Sequence, residues 1–384
     1  MSVVSGRRAV TAFLRFPYDV YRDNACWVPP LEWERRRFLS PRTNPFFRYG
    51  QVRLFLAHRG PRITGRIAAV RNPRYERFHR SRHGFFGLFE CADDPESARA
   101  LVGAVTEWLR TFGLDTVFGP VNFSLNDECG MLLSGFDSPP AVMMPYNPPY
   151  YPRLMSSCGF TKAKDLWAWR FEGDAVPPEF LDARSEETSV SENVVVRTVD
   201  LRVLHRELPV IADVYNAAWQ ENWGMVPLTA EELDFQAAQL KHVARSELIL
   251  VAEVGGIPAG FLLAVPNVNE ALAAAGGRLT VNGVPVGLVR LLRAARHIQG
   301  VRVIGFGVRP EYRRLGLDAA LLLRFWRTAS GMGYRWAECS WTLEDNARVN
   351  QLCSALGGER YKTYRIYQRP LTAGPPGPVR EGRW

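Results

Sequence analysis

Val301-Arg-Val-Ile-Gly-Phe-Gly-Val308, running on into Arg309-Pro-Glu-Tyr-Arg-Arg-Leu-Gly-Leu-Asp318 and Ala319-Ala-Leu-Leu-Leu-Arg-Phe-Trp326, sets the architecture of the chain. The first part is β-branched and aromatic, punctuated by Gly305 and Gly307, and predicts a buried strand with room for a bulge. Pro310 closes it. The last part places Ala319, Leu322, Leu323, Trp326 and Ala329 on one face of a helix. A strand entering a helix through a basic, glycine-bearing turn aims several unpaired backbone N–H groups at one spot, and the helix dipole adds to them. The stretch therefore predicts an anion site, with Arg313 and Arg314 supplying charge and Gly316 admitting the anion close to the backbone. Two other phosphate loops are excluded. A dinucleotide-binding turn needs a third glycine where Pro310 stands, and a P-loop needs a Gly-Lys-Ser/Thr that is absent.

Around this stretch, 384 residues allow two domains with full cores. The net charge of +9 suits acidic partners without choosing among phosphates, nucleic acid and an anionic membrane surface. The six cysteines, at 26, 91, 129, 158, 339 and 353, form no Cys-x-x-Cys pair, which predicts free thiols in a reducing, cytoplasmic setting. Met1 to Arg8 lacks the apolar core of a signal peptide. The apolar run from Leu248 to Val265 contains Glu253, Gly255-Gly256 and Pro258, so it reads as a hairpin and not a membrane span.

Taken in order, the chain predicts a helical, aromatic start to Tyr49, then a hairpin of 51–57 and 63–70 and a strand at 85–89. A helix from Pro95 to Phe112, a strand at 116–118, a short helix at 150–158 and a strand at 166–171 follow. The second half repeats that order from Val194: strand, helices at 204–219 and 231–244, hairpin, the central strand and helix, then 336–341, 347–356 and 364–368. Both halves are thus expected to be mixed α/β domains, 1–172 and 194–370. Residues 173–193 read as an acidic, proline-bearing linker and 371–384 as a flexible tail.

Val308-Arg-Pro310 followed by Arg313-Arg-Leu-Gly316 resembles the acyl-CoA loop of the GNAT superfamily of N-acyltransferases, with Asp318 where the pattern has Gly or Ala. That superfamily carries an Asn-led helix ending in Gly-Phe. Asn147 through Cys158-Gly159-Phe160, and Asn346 through Gly357-Gly358, echo it in both halves. The resemblance implies two tandem GNAT-like domains, each a mixed twisted sheet flanked by helices, of which the second binds acyl-CoA or acetyl-CoA and no metal. The cofactor would lie on Val308, Arg313, Arg314, Leu315, Gly316, Leu317, Asp318, Ala319 and Asn346. The first half has Cys91-Ala-Asp-Asp-Pro95 in place of the loop, and two acidic residues repel a diphosphate. It reads as a degenerate copy that contributes to the acceptor pocket. Trp27-Val-Pro-Pro-Leu31, Asn44-Pro-Phe-Phe47, Asn122 through Gly130, Met144 through Tyr150 and Lys362 through Tyr367 resemble a bacterial tandem group associated with ceramide-type lipid N-acylation. That implies a small-molecule or lipid amine acceptor and a location in the cytoplasm, peripheral to the inner membrane, with nucleic acid not expected.

Acyl transfer of this kind needs a neutral amine, a base, backbone donors for the carbonyl and an acid for the leaving thiolate. Where the superfamily often has a tyrosine acid this chain has Cys353. Among Tyr361, Tyr364 and Tyr367 the last helix end favours Tyr364. Glu338 and Glu221 are candidate bases beside an ordinary solvated role. The densest polar cluster, 119–130 with 143–151, offers Asn126, Asp127, Glu128, Tyr146 and Asn147 beside Met143 and Met144, either as a pocket or as turn and capping chemistry; Asp127 or Glu128 would orient or deprotonate the amine. Trp223 joins them as a substrate-binding candidate. His79 and His83 sit among arginines, which disfavours a metal. Leu288, Leu291, Leu292 and Ala295 form one face of a helix whose other face carries Arg290, Arg293, Arg296 and His297, suited to an anionic membrane or to walling an acyl chain. Two rival functions remain: an aminoacyl-tRNA-dependent transferase, which leaves the Arg313–Gly316 loop unexplained, and a CoA- or lipid-binding pseudoenzyme, which Asp318 and Cys353 would suit.

Overall fold

The computed structural model describes residues 1–173, 193–280 and 284–371; apart from its end residues the expected linker, like the tail beyond Leu371, lies outside them. The chain forms two compact units, one of residues 1–166 with the segment from Thr363 onward, the other Trp167–Lys362. Neither is continuous with a simple half of the sequence, because the division falls inside strands β7 (Thr161–Glu172) and β13 (Glu359–Pro370).

In the first unit, β1 (Ser2–Val3), β2 (Gln51–Arg59), β3 (Arg62–Arg71), β4 (His83–Cys91), β5 (Thr116–Gly119) and β13 are neighbours in that order, and β6 (Met131–Ser134) also pairs β13. All the pairs are antiparallel except β4 with β5. The helix Pro95–Arg110 makes the crossover between those two. Asp94 caps it, accepting from Glu96 N–H at 3.2 Å, and Pro95 occupies its first turn, where a missing N–H does no harm. Its buried Ala98, Leu101, Val102, Val105 and Leu109 follow the helical repeat and lie against Phe55, Ile67 and Ala69 of the sheet.

In the second unit the order is β12 (Trp336–Leu343), β11 (Gly300–Val308), β10 (Ile257–Pro266), β9 (Ile249–Val254) and β8 (Val194–Thr198). Among these five strands only β11 and β12 are parallel, joined through the helix Leu317–Gly331. Alternation along β9 sends Leu250 and Ala252 toward Leu317, Leu321 and Phe325, and Ile249 and Val251 toward Ile211 and Val214 of the helix Leu204–Trp219. Both faces are covered, which is why these strands read as unbroken apolar runs.

Candidate active site

At the end of β11 a short 3-10 turn, Pro310–Tyr312, leads to Gly316 and the helix Leu317–Gly331. Gly316 has φ +70° and ψ 14°, a left-handed conformation that a Cβ opposes, and no atom lies within 4 Å of where a Cβ would stand. The glycine therefore shapes the backbone and leaves open space over the helix N-terminus. There Leu317 and Asp318 begin the helix, so their N–H groups have no acceptor inside it. Arg314 and Leu315 are exposed beside them.

Four of the residues expected to hold an anion have other work. Arg313 turns inward, donating from Nε to Val308 O at 3.3 Å and from its terminal nitrogen to Ala218 O at 3.0 Å, so it braces the loop against the helix Leu204–Trp219. The N–H of Ala319 is taken by Asp318 Oδ1 at 3.0 Å, while Oδ2 accepts from Arg348 at 2.9 Å. The off-pattern Asp318 is thus matched by a cation from the next helix, Ala347–Ala355. Arg348 also donates to Arg313 O at 3.0 Å. Asn346 caps that same helix by accepting from Val349 N–H at 3.3 Å, which is a structural use.

β11 and β12 keep parallel register only from Gly300–Val303 to Trp336–Cys339, although they extend to Val308 and Leu343. Their carboxyl ends diverge beside the Gly316 turn, and the crevice outside such ends is where open α/β sheets bind ligands. Trp219 Nε1 donates to Phe306 O at 3.1 Å here. Toward the helices, a cavity of about 50 Å³ is bounded by Val303, Phe306, Leu322, Trp326, Cys339 and Cys353. The two thiols face the same cavity. Donation from Cys353 holds Cys339 below the usual thiol range, and the same bond, with burial, drives Cys353 far above it.

Glu338 is fully buried. Its carboxylate lies 3.6 Å from Arg302, its register partner on β11, and accepts from Ser340 and Tyr361 hydroxyls. Arg302 also holds Ser340, through Nε to Oγ at 2.9 Å. Burial pushes the Glu338 carboxyl up, against the pull of Arg302, Ser340 and Lys362. A carboxylate so enclosed ties β11 to β12, and Glu338 also borders the cavity between Cys339 and Val303. Tyr361, not Tyr364, is the tyrosine brought to Glu338. Tyr364 is completely buried and falls in the first unit, opposite Leu132 of β6. Trp223 is half-buried in the segment after the Leu204–Trp219 helix, and Glu221 is exposed.

The first unit repeats the divergence but fills it. β4 and β5 pair only from His83–Phe85 to Thr116–Phe118, and the next residues of the chain enter the gap: Val121 N–H donates to Phe86 O at 2.7 Å and Leu88 N–H to Asn122 Oδ1 at 2.9 Å. A Cβ on Gly87 would lie 2.2 Å from Val121 O, so only glycine fits there. Asp94 occupies the matching helix N-terminus.

Of the polar candidates in this unit, Glu128 is ion-paired with Arg35 at 2.6 Å and accepts from Asn122 Nδ2 at 3.1 Å. Asn126 and Asp127 form a turn on Ser124, donating their N–H groups to its Oγ at 3.1 Å and its carbonyl at 3.0 Å. Tyr146 donates to Phe136 O at 2.8 Å. Asn147 is buried and clamps β6, accepting from Leu132 N–H at 2.6 Å and donating to Leu132 O at 3.2 Å and Pro148 O at 3.1 Å. These bonds give Asn147 a structural use at β6. Sequence reading missed the neighbouring cluster in which Tyr21 and Tyr151 each donate to Glu90 at 2.7 Å, with Arg66 3.6 Å away. The available signal was a charge inside each apolar strand string, Gly65-Arg66-Ile67 and Phe89-Glu90-Cys91.

Two units of mixed strands with helical crossovers, one bearing the left-handed glycine turn at a diverging parallel pair, define a tandem GNAT-fold protein, a class of acyltransferases. A tandem GNAT protein from the clavulanic acid biosynthesis pathway superposes with a TM-score of 0.57 at 13% identity, covering 97% of this chain and 99% of that one. The chain is 34% identical to "Bacterial ceramide synthase" of Caulobacter vibrioides (strain NA1000 / CB15N) over 368 residues, 94% of each protein. It is also 34% identical to "Protein YghO" of Escherichia coli (strain K12) over 372 residues, 94% of this chain and 92% of that one. No family model matches. The chain belongs to the family of these two bacterial proteins.

Proposed function

We propose that the protein moves an acyl group from an acyl-CoA thioester to a primary amine, and that the amine is a long-chain, sphingoid-type lipid. The observation that carries the donor is the Gly316 turn: open space, unpaired first-turn N–H groups and exposed Arg314 at the end of a fifteen-residue helix suit a diphosphate. Val308, Leu315 and Leu317 frame that turn, and Arg313 and Arg348 hold its shape. The bound thioester supplies the activated acyl group. The lipid acceptor is supported by the name of the Caulobacter relative, "Bacterial ceramide synthase". Asn126, Asp127, Glu128 and Tyr146 of the first unit are the polar groups we assign to the amine head, with the Arg35–Glu128 pair setting their charge. None of the described helices is long and apolar enough to cross a membrane. We assign the encounter with a lipid amine to the cytoplasmic surface of the inner membrane. A protonated amine has no lone pair for attack, so the rate rises with pH until the amine is neutral.

The test incubates purified protein with long-chain acyl-CoA or acetyl-CoA and either a sphingoid base or a short polyamine, following free CoA. Release with the lipid amine supports the proposal. Turnover on the polyamine alone ends the lipid acceptor, and no release with any pair ends acyl transfer.

A further inference from the structure

Between Asn267 and Gly300 the second unit carries an insertion whose base is pinned: Glu270 accepts from Gln299 N–H at 2.8 Å and from Gly300 N–H at 3.0 Å. Leu288 N–H donates to Leu279 O at 2.9 Å, and Gly287 packs so closely that a Cβ there would lie 1.7 Å from Arg278 O. The helix Val286–Ala294 is thus held along one side by its smallest residue, with Leu291 and Ala294 half-buried. Everything else on it faces solvent. Val284, Val286, Leu288, Val289 and Leu292 are 56, 37, 38, 51 and 58% exposed, and they make up five of the thirteen large exposed hydrophobics among the described residues. An ordinary surface helix turns such residues inward, so this apolar face awaits another phase.

Successive residues turn by about 100°, which sets Leu288, Leu292 and Val289 side by side and Arg293 and Arg290 next along the same exposed arc. Arg296 and His297 follow in the next turn, also exposed. The one carboxylate of the insertion, Glu270, is occupied by its backbone donors. Hydrocarbon contact flanked by guanidinium groups, with no exposed acid, matches the boundary between acyl chains and anionic headgroups.

We infer that the helix Val286–Ala294 docks the protein on an anionic lipid surface, with Leu288, Val289 and Leu292 entering the acyl region and Arg290, Arg293 and Arg296 meeting the headgroups. The inference stands apart from acyl transfer, because binding needs neither thioester nor amine.

The experiment sediments the full chain with phosphatidylcholine vesicles with or without phosphatidylglycerol, at low and high salt. Wild type is expected to pellet with the anionic vesicles and to be released by salt. R290Q/R293Q/R296Q should bind them on the order of a hundred-fold more weakly, and L288S/V289S/L292S about ten-fold or more. Both variants should melt like wild type, since every altered side chain is exposed. Wild type remaining in the supernatant, or either variant pelleting as wild type does, overturns the inference. So does a dimer in sedimentation velocity that Leu292→Ser dissociates without any vesicle binding, which would give this face to a second copy of the chain.

Discussion

Gly316 separates two physical reasons for a glycine, and substitution can tell them apart. Its φ of +70° means that any Cβ strains the backbone, while the absence of atoms within 4 Å means that no Cβ clashes with the protein. Gly316→Ala should therefore cost about 1–2 kcal/mol, the left-handed penalty alone, lowering the melting temperature by a few degrees. Gly316→Asn should cost less, because asparagine tolerates this region. If the open space is where a diphosphate meets the N–H groups, both side chains obstruct it equally. Acyl-CoA affinity by calorimetry should then fall about ten-fold or more, roughly 1.4 kcal/mol, in both variants. The informative protein is Gly316→Asn, with near-native stability and impaired binding. If it binds acyl-CoA as wild type does, the diphosphate lies elsewhere and the glycine serves the turn only.

Further outcomes follow from the Arg302–Glu338 pair, Asn147 and the two thiols. Arg302→Met leaves Glu338 buried without its cation and should destabilise the protein by about 3–5 kcal/mol. Because burial raises the Glu338 carboxyl above its ordinary value of 4.5, its favourable contribution is present below that pH and lost as pH rises through the folded value. Urea unfolding should accordingly show wild type losing ground to Glu338→Gln from acid toward neutral pH, and a widening gap in the other direction would refute the direction of the shift. Asn147→Ala strands the Leu132 backbone groups and should cost about 1–3 kcal/mol by thermal melting, with acyl-CoA binding unchanged. Cys339, held low by donation from Cys353, should be alkylated by iodoacetamide faster than Cys353 near neutral pH, as read by peptide mass spectrometry. Cys353→Val removes the donor and should slow alkylation of Cys339; equal rates in the two proteins would disprove the thiol pairing.

Much of the architecture was legible because local chemistry dictates it. The apolar strand ending at Pro310, the glycine before Leu317, the Pro95 start and the Gly255-Gly256 hairpin are signals contained within a few residues, and the structure has an element at each. The donor-rich turn was visible for the same reason: a helix N-terminus carries its donors whatever packs around it. Side-chain roles were not visible, since a charge acquires its role from partners distant in sequence. Asp318 is settled by Arg348, Glu128 by Arg35 and Glu338 by Arg302 and Tyr361. The same holds for Asn147, whose three hydrogen bonds exist only once β6 lies beside it. Tyr361 and Tyr364 point to opposite fates because the unit division falls between them, at Lys362 and Thr363. Periodicity and turn chemistry thus determined where strands, helices and the donor-rich turn lie. Only tertiary structure decided which charges are spent on one another, because burial and pairing depend on which distant segments meet.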